Sequence, residues 1–380
     1  MSKTILILGG GTGGLVAASR LRRMLDKEHR IVLVDRSPYY TYQPSLTWVM
    51  IGKRELPRIT RDLRDLRDKG IEVKSSEING FDLDNKRVHL TREDIDYDHL
   101  IIALGAAYSV EEVPGLGSAW TFYHADGADG MAEELPKFSA GRIAVLAPRL
   151  PYKCPPSLYE GAFLLDAYFR KRRLRDNIQI DVYTPEATPL PQYGDVGSQF
   201  RDLLHERDIT FTGAVEPKSI DVEKHLIDFN TGAPAAYDML VAAPIHRLPP
   251  ILYDVGLSGP DGWIAADPDT LATAAPDVYA IGDCNSVATP SGEALPKSGV
   301  IAHGEAEVVA RNLTSEIGGR DPIWAFGGQG ACFMETGYAR GATITGNHFA
   351  DPPHFSMRGP GRIPHWAKVG QERVWLWRWF

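Results

Sequence analysis

Three cysteines are the residues of this chain best suited to redox chemistry: Cys154, Cys284 and Cys332. Three in 380 residues are too few for a disulfide framework, so a redox pair with one spare cysteine is the natural interpretation. Cys154 and Cys332 are far apart in sequence, and both are predicted to lie in loops bounded by small residues or prolines. Cys284 directly follows Asp283 and is predicted to be a small packed residue rather than a third redox centre.

The surroundings of Cys154 indicate a modified nucleotide-binding unit. The apolar run 143–147 predicts a strand, and residues 161–169 predict a helix. A nucleotide-binding unit carries its glycine loop between two such elements, but here prolines and Cys154 replace the glycines. The next predicted strand, 178–183, ends in Thr184-Pro185 without a carboxylate for an adenosine ribose. Both features argue against NADH as the reductant. The alternative is a degenerate structural domain with an incidental cysteine.

A complete nucleotide-binding signature opens the chain. Residues 9–14, Gly-Gly-Gly-Thr-Gly-Gly, satisfy G-x-G-x-x-G between the predicted strand 4–8 and the predicted helix 15–25. Glycines let the backbone approach a pyrophosphate, and the helix N-terminus supplies N–H donors. Asp35 ends the next predicted strand, where a carboxylate binds ribose hydroxyls. The predicted cofactor contacts here are Gly9, Gly11, Thr12, Gly14, Asp35 and Arg36.

Two later stretches extend this signature. Residues 97–105 and 273–283 each predict a strand, ending in Gly105 and in Gly282-Asp283. Together with the first motif they resemble the paired signatures of the two-dinucleotide-domain flavoproteins, the glutathione reductase-like superfamily. The resemblance implies an α/β fold of two Rossmann-like dinucleotide-binding domains, with FAD as cofactor and Asp283 on its ribityl chain. It also implies the following division: a discontinuous FAD domain at 1–108 and 255–320, a degenerate second domain at 109–254, and an aromatic-rich C-terminal region at 321–380.

Further residues resemble one group within that superfamily, the sulfide:quinone oxidoreductases and the flavoprotein subunit of flavocytochrome c sulfide dehydrogenases. The matching residues are Tyr152-Lys-Cys154, Tyr159-Glu160, 42–45 with Trp48, 296–299, Cys332, 365–368 and 375–378. In that group two cysteines face the flavin and handle sulfide sulfur, and Cys154 and Cys332 match them. The resemblance therefore implies that sulfide is oxidised through this pair and that FAD passes the electrons to a membrane quinone.

Glu160 and Lys297 are the other candidate catalytic residues. Lys297 precedes the predicted helix 300–313, whose N-terminus would point at the flavin pyrimidine and, with the lysine, stabilise negative charge on reduced flavin. Glu160 or His124 would move protons, although a solvent-facing glutamate or a hydrogen-bonded histidine explains each equally well. Lys153 would favour the thiolate of Cys154.

Two departures from the group bear on the electron acceptor. Many quinone-reducing members carry a further cysteine just before a His-Ala pair; here residues 120–123 before His124-Ala125 contain none. Cytochrome-linked members attach flavin through a cysteine near the position of Tyr42, and its absence favours a quinone-linked protein with noncovalent FAD. A cytochrome as acceptor, or a flavin-binding protein without turnover, remains an alternative.

The C-terminal region suggests contact with a membrane. Five of the eight tryptophans lie beyond residue 320, and tryptophan with arginine suits a lipid–water interface. Packing of these rings on the flavin domain or a dimer mate is the alternative. The net charge of −8 argues against nucleic acid as a partner. No predicted signal peptide or spanning segment is present, so a cytoplasmic protein, peripheral on the inner membrane, is expected. No metal site is predicted, and a homo-oligomer is left open.

Overall fold

A five-stranded parallel sheet organises the first part of the protein, which the computed structural model describes for residues 2–380. Its strand order is Val278–Ala280, His99–Ile102, Thr4–Leu8, Arg30–Asp35, Glu72–Ser75. The central strands are buried on both faces, which explains why their sequences are apolar without alternation. Because one edge strand comes from near residue 280, the sheet is assembled from two separate segments of the chain.

Eight α-helices surround the sheets. They are α1 (Thr12–Met24), α2 (Leu46–Met50), α3 (Leu56–Ile59), α4 (Ala125–Glu134), α5 (Pro156–Lys171), α6 (Asp195–His205), α7 (Gly299–Ile317) and α8 (Arg362–Trp379). Helices α1 and α7 pack together at their N-terminal ends, where a Cβ on Gly13 would come within 3.7 Å of the carbonyl oxygen of Ala302 in α7. The glycines of the first motif thus also allow close packing between the two segments.

A second parallel sheet follows the same plan with four strands. Its order is Ile209–Thr212, Ile178–Tyr183, Gly141–Leu146, Met239–Ala242. Helix α5 connects the third and second of these strands, as a right-handed crossover of a parallel sheet requires. The loop 147–155 before α5 therefore lies at the carboxyl end of the sheet, where such folds bind their ligands.

The remaining strands form smaller sheets. The antiparallel C-terminal sheet contains Gln329–Gly337, Arg340–Asn347 and His354–Gly361. Two more three-stranded sheets contain Ile78–Asp82, Arg87–Leu90, Asp94–Asp96 and Pro217–Asp221, Leu226–Phe229, Ala235–Ala236. The pairs are Tyr39–Thr41 with Thr60–Asp62, Ala107–Ser109 with Ile245–Arg247, and Ile264–Ala265 with Asn285–Ser286.

The predicted fold class is confirmed, with one local error. Cys332 was predicted in a loop, but it lies in the strand Gln329–Gly337, paired with Ile344. The glycines on either side of it misled the prediction, because small residues suit a strand whose neighbours approach closely as well as they suit a loop.

The aromatic C-terminus divides its side chains between two faces of α8. Trp375 and Trp379 are buried. The ring of Trp375 packs against that of Tyr42, with 5.8 Å between the ring centroids. Trp366 and Trp377 are 63% and 80% exposed on the opposite side of the helix. Of the two alternatives raised by the sequence, packing of the rings on the fold describes the buried face, whereas a membrane contact would involve the exposed face.

The buried face of α8 carries charge as well as aromatic rings. His365, Lys368 and Glu372 recur at helical spacing and are all buried. Nδ1 of His365 lies 2.7 Å from Oε1 of Glu335 in the strand of Cys332. The ammonium of Lys368 contacts the carboxylate of Glu160 in α5.

Glu372 is the third buried polar side chain on this face of α8, and it contacts the segment around α2. Its carboxylate accepts from Oγ of Ser45 at 2.6 Å and from Nε of Arg54 at 3.0 Å. The three polar side chains thus connect α8 to three different parts of the chain.

Lys368→Met tests this docking. The change leaves the Glu160 carboxylate buried without its cation, so the free energy of unfolding should fall by roughly 3–5 kcal/mol in urea denaturation. Adding Glu160→Gln should recover a large part, because the uncompensated charge is then gone. Lys137→Met, in the exposed pair with Glu134, is the control and should leave the denaturation midpoint unchanged. A single variant as stable as this control would contradict the interpretation.

Candidate active site

Cys154 lies just before the N-terminus of α5. It precedes the helix by two residues and adopts a left-handed backbone conformation, with φ of 52°. Its N–H donates to the carbonyl of Lys297 at 2.6 Å, and its carbonyl accepts from the N–H of Ser157 at 2.7 Å. The helix N-terminus is a positive dipole end, which favours a thiolate at this position.

Cys332 meets Cys154 from the C-terminal sheet. The two thiols lie close enough to influence each other's pKa, and both cysteines are half-buried. The contact with Cys332 holds the pKa of Cys154 below its usual range, and Lys368 and Lys153 act in the same direction. The same contact, with burial, raises the pKa of Cys332 well above its usual range. The helix N-terminus and the two lysines thus favour the thiolate form of Cys154.

Glu160 lies next to this pair and is buried. Its Oε1 accepts from Oγ1 of Thr47 at 2.6 Å and also contacts Nζ of Lys368. Burial raises the pKa of Glu160, although Lys368 and Thr47 oppose the rise. A carboxyl group with a raised pKa beside two thiols is suited to exchange protons with them. Lys368 is a residue of this site that the sequence analysis matched to the family motif without assigning it a role.

Lys297 connects the sulfur pair to the first sheet. Its backbone carbonyl binds Cys154, while its buried Nζ donates to the carbonyl of Asn285 at 2.9 Å. The ammonium also lies 3.4 Å from the ring centroid of Trp263, a residue that the sequence analysis missed. Burial lowers the pKa of Lys297 to about 8, with Asp283 opposing. Lys297 precedes the N-terminus of α7, as the sequence predicted.

The glycine motif borders open space at the N-terminus of α1, here called the cofactor groove. Gly9 has φ of 103°, and a Cβ on Gly14 would come within 1.8 Å of the carbonyl oxygen of Gly9, so both are required by the turn itself. A Cβ on Gly11, in contrast, would meet no atom within 4 Å. Helix α1 begins there with Thr12, without a capping side chain and without an acidic residue in its first turn. Free N–H donors beside open space are what a pyrophosphate needs.

The other predicted cofactor contacts surround this groove. The carboxylate of Asp35 accepts from the N–H of Gly10 at 2.6 Å, so it lies at the glycine loop, while Arg36 is exposed. Gly105 and Gly282 both have positive φ, at 69° and 76°. Asp283 follows Gly282 and is half-buried. These residues come from three strand ends of one sheet, which explains how sites so distant in sequence meet.

The corresponding crevice of the second sheet is filled by side chains. The hydroxyls of Tyr159 and Tyr152 donate to Oε2 of Glu186 at 2.5 Å and 3.3 Å. All three residues are buried, and burial raises the pKa of Glu186. The sequence analysis missed this carboxylate, which comes two residues after Thr184. Since it is already bonded to two phenols across the crevice, it does not offer a free acceptor to a ribose.

His124 and Cys284 each have contacts that explain them as structural residues. Nδ1 of His124 accepts from the N–H of Gly127 at 3.0 Å and caps α4, which accounts for this histidine without a proton-transfer role. Cys284 is completely buried, and burial raises its pKa to about 12. It is therefore a packed thiol and, as predicted, lies apart from the reactive pair.

Several known proteins resemble this chain in sequence. Residues 3–146 match the family model "pyridine nucleotide-disulphide oxidoreductase". The mitochondrial sulfide:quinone oxidoreductase of Mus musculus is 25% identical over 92% of this chain and 79% of its own length. The sulfide-quinone reductase of Aquifex aeolicus is 24% identical over 100% of this chain and 91% of its own.

A solved structure extends the likeness to three dimensions. The sulfide:quinone oxidoreductase from Aquifex aeolicus superposes with a TM-score of 0.90 at 20% identity, covering 100% of this chain and 91% of that one. The resemblance that the sequence motifs indicated is thus confirmed: this chain is similar in sequence to sulfide:quinone oxidoreductases over most of its length, and it has the fold of the Aquifex aeolicus enzyme.

Proposed function

We propose that this protein is an FAD-dependent sulfide:quinone oxidoreductase. The observation that carries the proposal is the contact between Cys154 and Cys332, beside the residue Lys297 that leads to the cofactor groove. The second sheet supports the proposal, because Tyr152, Tyr159 and Glu186 occupy the crevice where NADH would bind. A reductant other than NADH must then supply the electrons. The relatives named above supply the substrate class.

The sulfur pair performs the first step in its oxidised form. Hydrosulfide attacks one sulfur of a Cys154–Cys332 disulfide; an S–S bond forms, the disulfide breaks, and the products are a persulfide and a free thiolate. A second hydrosulfide takes the outer sulfur of the persulfide as hydrodisulfide, which leaves the two cysteines as thiols, two electrons richer than the disulfide. A bound flavin would accept these two electrons and so restore the disulfide. Lys153, Lys368 and the α5 N-terminus stabilise the thiolate, and Glu160 takes the proton that hydrosulfide brings.

Cys154→Ser and Cys332→Ser test the sulfur chemistry. Each variant removes one of the two sulfurs, so flavin reduction by sulfide should fall by at least about a thousandfold in anaerobic stopped-flow absorbance, while bound flavin stays at the wild-type level. Cys284→Ser is the matched control, since its thiol is buried away from the pair, and it should keep the wild-type rate. A double Cys154→Ser/Cys332→Ser variant that sulfide still reduces at the wild-type rate would disprove the mechanism.

FAD is the proposed form of the flavin. The glycine groove, α1 and Asp35 would hold the pyrophosphate and the adenosine ribose, which a mononucleotide lacks. Asp283 would bind the ribityl chain. Lys297 and the N-terminus of α7 would stabilise negative charge at the flavin.

Gly11→Val and Gly14→Ala separate cofactor binding from folding. The valine would extend into open space, so the apo-protein should keep its melting temperature while bound FAD, measured by visible absorbance per chain, falls to below about a tenth. The alanine would collide with the carbonyl of Gly9 and should lower the melting temperature itself by several degrees. Full FAD content in Gly11→Val would show that the pyrophosphate lies elsewhere.

The exposed face of α8 is the proposed contact with the membrane that holds the quinone. Ile363, Trp366, Val374 and Trp377 form an apolar stripe there, 84%, 63%, 54% and 80% exposed. Arg362, Arg373 and Arg378 flank it and are exposed. Within residues 2–380, no helix combines the length and apolar character needed to cross a bilayer. The stripe therefore suits a peripheral position on an anionic leaflet, which is the cytoplasmic side of an inner membrane.

A Trp366→Ser/Trp377→Ser double variant tests this surface. Binding to vesicles that contain anionic lipid should weaken by about tenfold or more in a sedimentation assay, because two interfacial rings are lost. Sulfide should still reduce the flavin at the wild-type rate. Trp324→Ser is the control, since Trp324 is exposed on another segment and contacts Arg311. Unchanged vesicle binding in the double variant would assign the membrane contact to another surface.

A further inference from the structure

Glu305 is a buried acid that the proposed mechanism does not use. It lies in the second turn of α7 and is 0% exposed. Its Oε2 accepts from the N–H of Gly282 at 2.5 Å, and its Oε1 accepts from Nδ2 of Asn285 at 3.0 Å. The carboxylate thus binds the first and the last residue of the turn 282–285. Asp283, the candidate ligand of the ribityl chain, lies between them.

The turn is fixed from its other side as well. Nδ2 of Asn285 also donates to the carbonyl of Ala280 at 3.0 Å, and the carbonyl of Asn285 accepts from Nζ of Lys297 at 2.9 Å. The conformation of this turn is one that glycine favours, since Gly282 has φ of 76°. Glycine adopts this φ without strain but is also the most flexible residue, so hydrogen bonds from its neighbours define the turn, and Glu305 provides two of them.

We infer that Glu305 is the positioning residue of the flavin turn: its carboxylate clamps residues 282 and 285 so that Asp283 faces the cofactor groove, and its ionisation couples this clamp to pH. The inference rests on the flavin part of the proposed function and adds a residue to it. It does not depend on sulfide as the substrate.

The titration of Glu305 follows from its surroundings. Asp283, Cys284 and Lys297 are the charged and titratable groups that face it. Burial raises the pKa of Glu305 to about 7, Asp283 adds to the rise, and Gly282, Asn285 and Lys297 oppose it.

In an unfolded chain the same group titrates near a pH of about 4.3. Between these two values the native state holds a proton that the unfolded state has lost. The stabilisation is therefore complete below the lower value and is lost as pH rises through the upper one.

The first experiment compares apo-protein stability across pH. The melting temperature of the wild type relative to that of Glu305→Gln should fall between pH about 5 and pH about 8, because glutamine keeps the shape but carries no titrating proton. Glu307→Gln is the matched control on the same helix: its carboxylate contacts Arg20 and His303 and lies outside the turn. Parallel pH profiles of the wild type and Glu305→Gln would overturn the coupling to pH.

The second experiment measures FAD affinity by fluorescence titration of the apo-protein at pH about 8. Glu305→Ala leaves two buried donors unpaired and should weaken binding by about tenfold or more. Glu305→Gln should restore a large part of the affinity, because its amide oxygen still accepts from the N–H of Gly282. Its NH2 group cannot accept from Asn285, whose amide is held in place by the carbonyl of Ala280. Affinity in Glu305→Ala equal to that of Glu307→Gln would overturn the positioning role.

These outcomes are distinct from a failure of the proposed function. A protein that binds FAD but is not reduced by sulfide would refute the sulfide reaction and leave the role of Glu305 standing. If Glu305→Ala does not fold, the pH profiles of the wild type and Glu305→Gln still decide the inference.

Discussion

The hydrogen bond from the N–H of Cys154 to the carbonyl of Lys297 joins the two halves of the site. Cys154 belongs to the loop before α5, and Lys297 belongs to the segment that leads into α7. The bond fixes the thiol against the N-terminus of the helix that faces the cofactor groove. It also holds Cys154 in a left-handed conformation, which an ordinary side chain adopts at a cost of about 1–3 kcal/mol. The sulfur pair and the groove thus share one short backbone contact.

The C-terminal helix closes the site with buried polar side chains as well as apolar ones. Burying the charges of Lys368 and Glu372 costs several kcal/mol per charge, and pairing with Glu160 and Arg54 offsets this cost only when the geometry is good. Apolar packing alone would tolerate sliding of α8, whereas these two ion pairs and the contact of His365 with Glu335 define its position. A defined position matters here because the same helix borders Cys154 and Cys332 on one face and exposes Trp366 and Trp377 on the other.

The second sheet shows how a nucleotide-binding architecture is converted to another use. Its strands, crossover helix and carboxyl-end loop are those of a dinucleotide unit, yet Tyr152, Tyr159 and Glu186 occupy the crevice and satisfy one another. Each phenol gives a buried acceptor the partner it would otherwise lack, so the filled crevice is stable without ligand. The loop 147–155 therefore carries Cys154 at the position where the glycines of a dinucleotide-binding unit would approach a pyrophosphate.

Much of this protein was determined by the sequence alone. The glycine motif at residues 9–14 with Asp35 and the later Gly282-Asp283 were enough to predict the fold, which is confirmed, because each depends on local backbone chemistry in a fixed strand–turn–helix context. The same residues, together with Cys154 and Cys332, predict the cofactor contacts and the sulfur pair. The packing of Cys284 was also correctly predicted.

The tertiary structure decided what depends on long-range contacts. It placed Cys332 on a strand, made Glu186 a partner of two tyrosines and His124 a helix cap, and divided the tryptophans of α8 between two faces. It also gave Glu305 and Lys368 their partners. A carboxylate or an ammonium has no role that its neighbours in sequence can reveal, since its pKa and its function depend on which distant group folding brings within hydrogen-bonding distance.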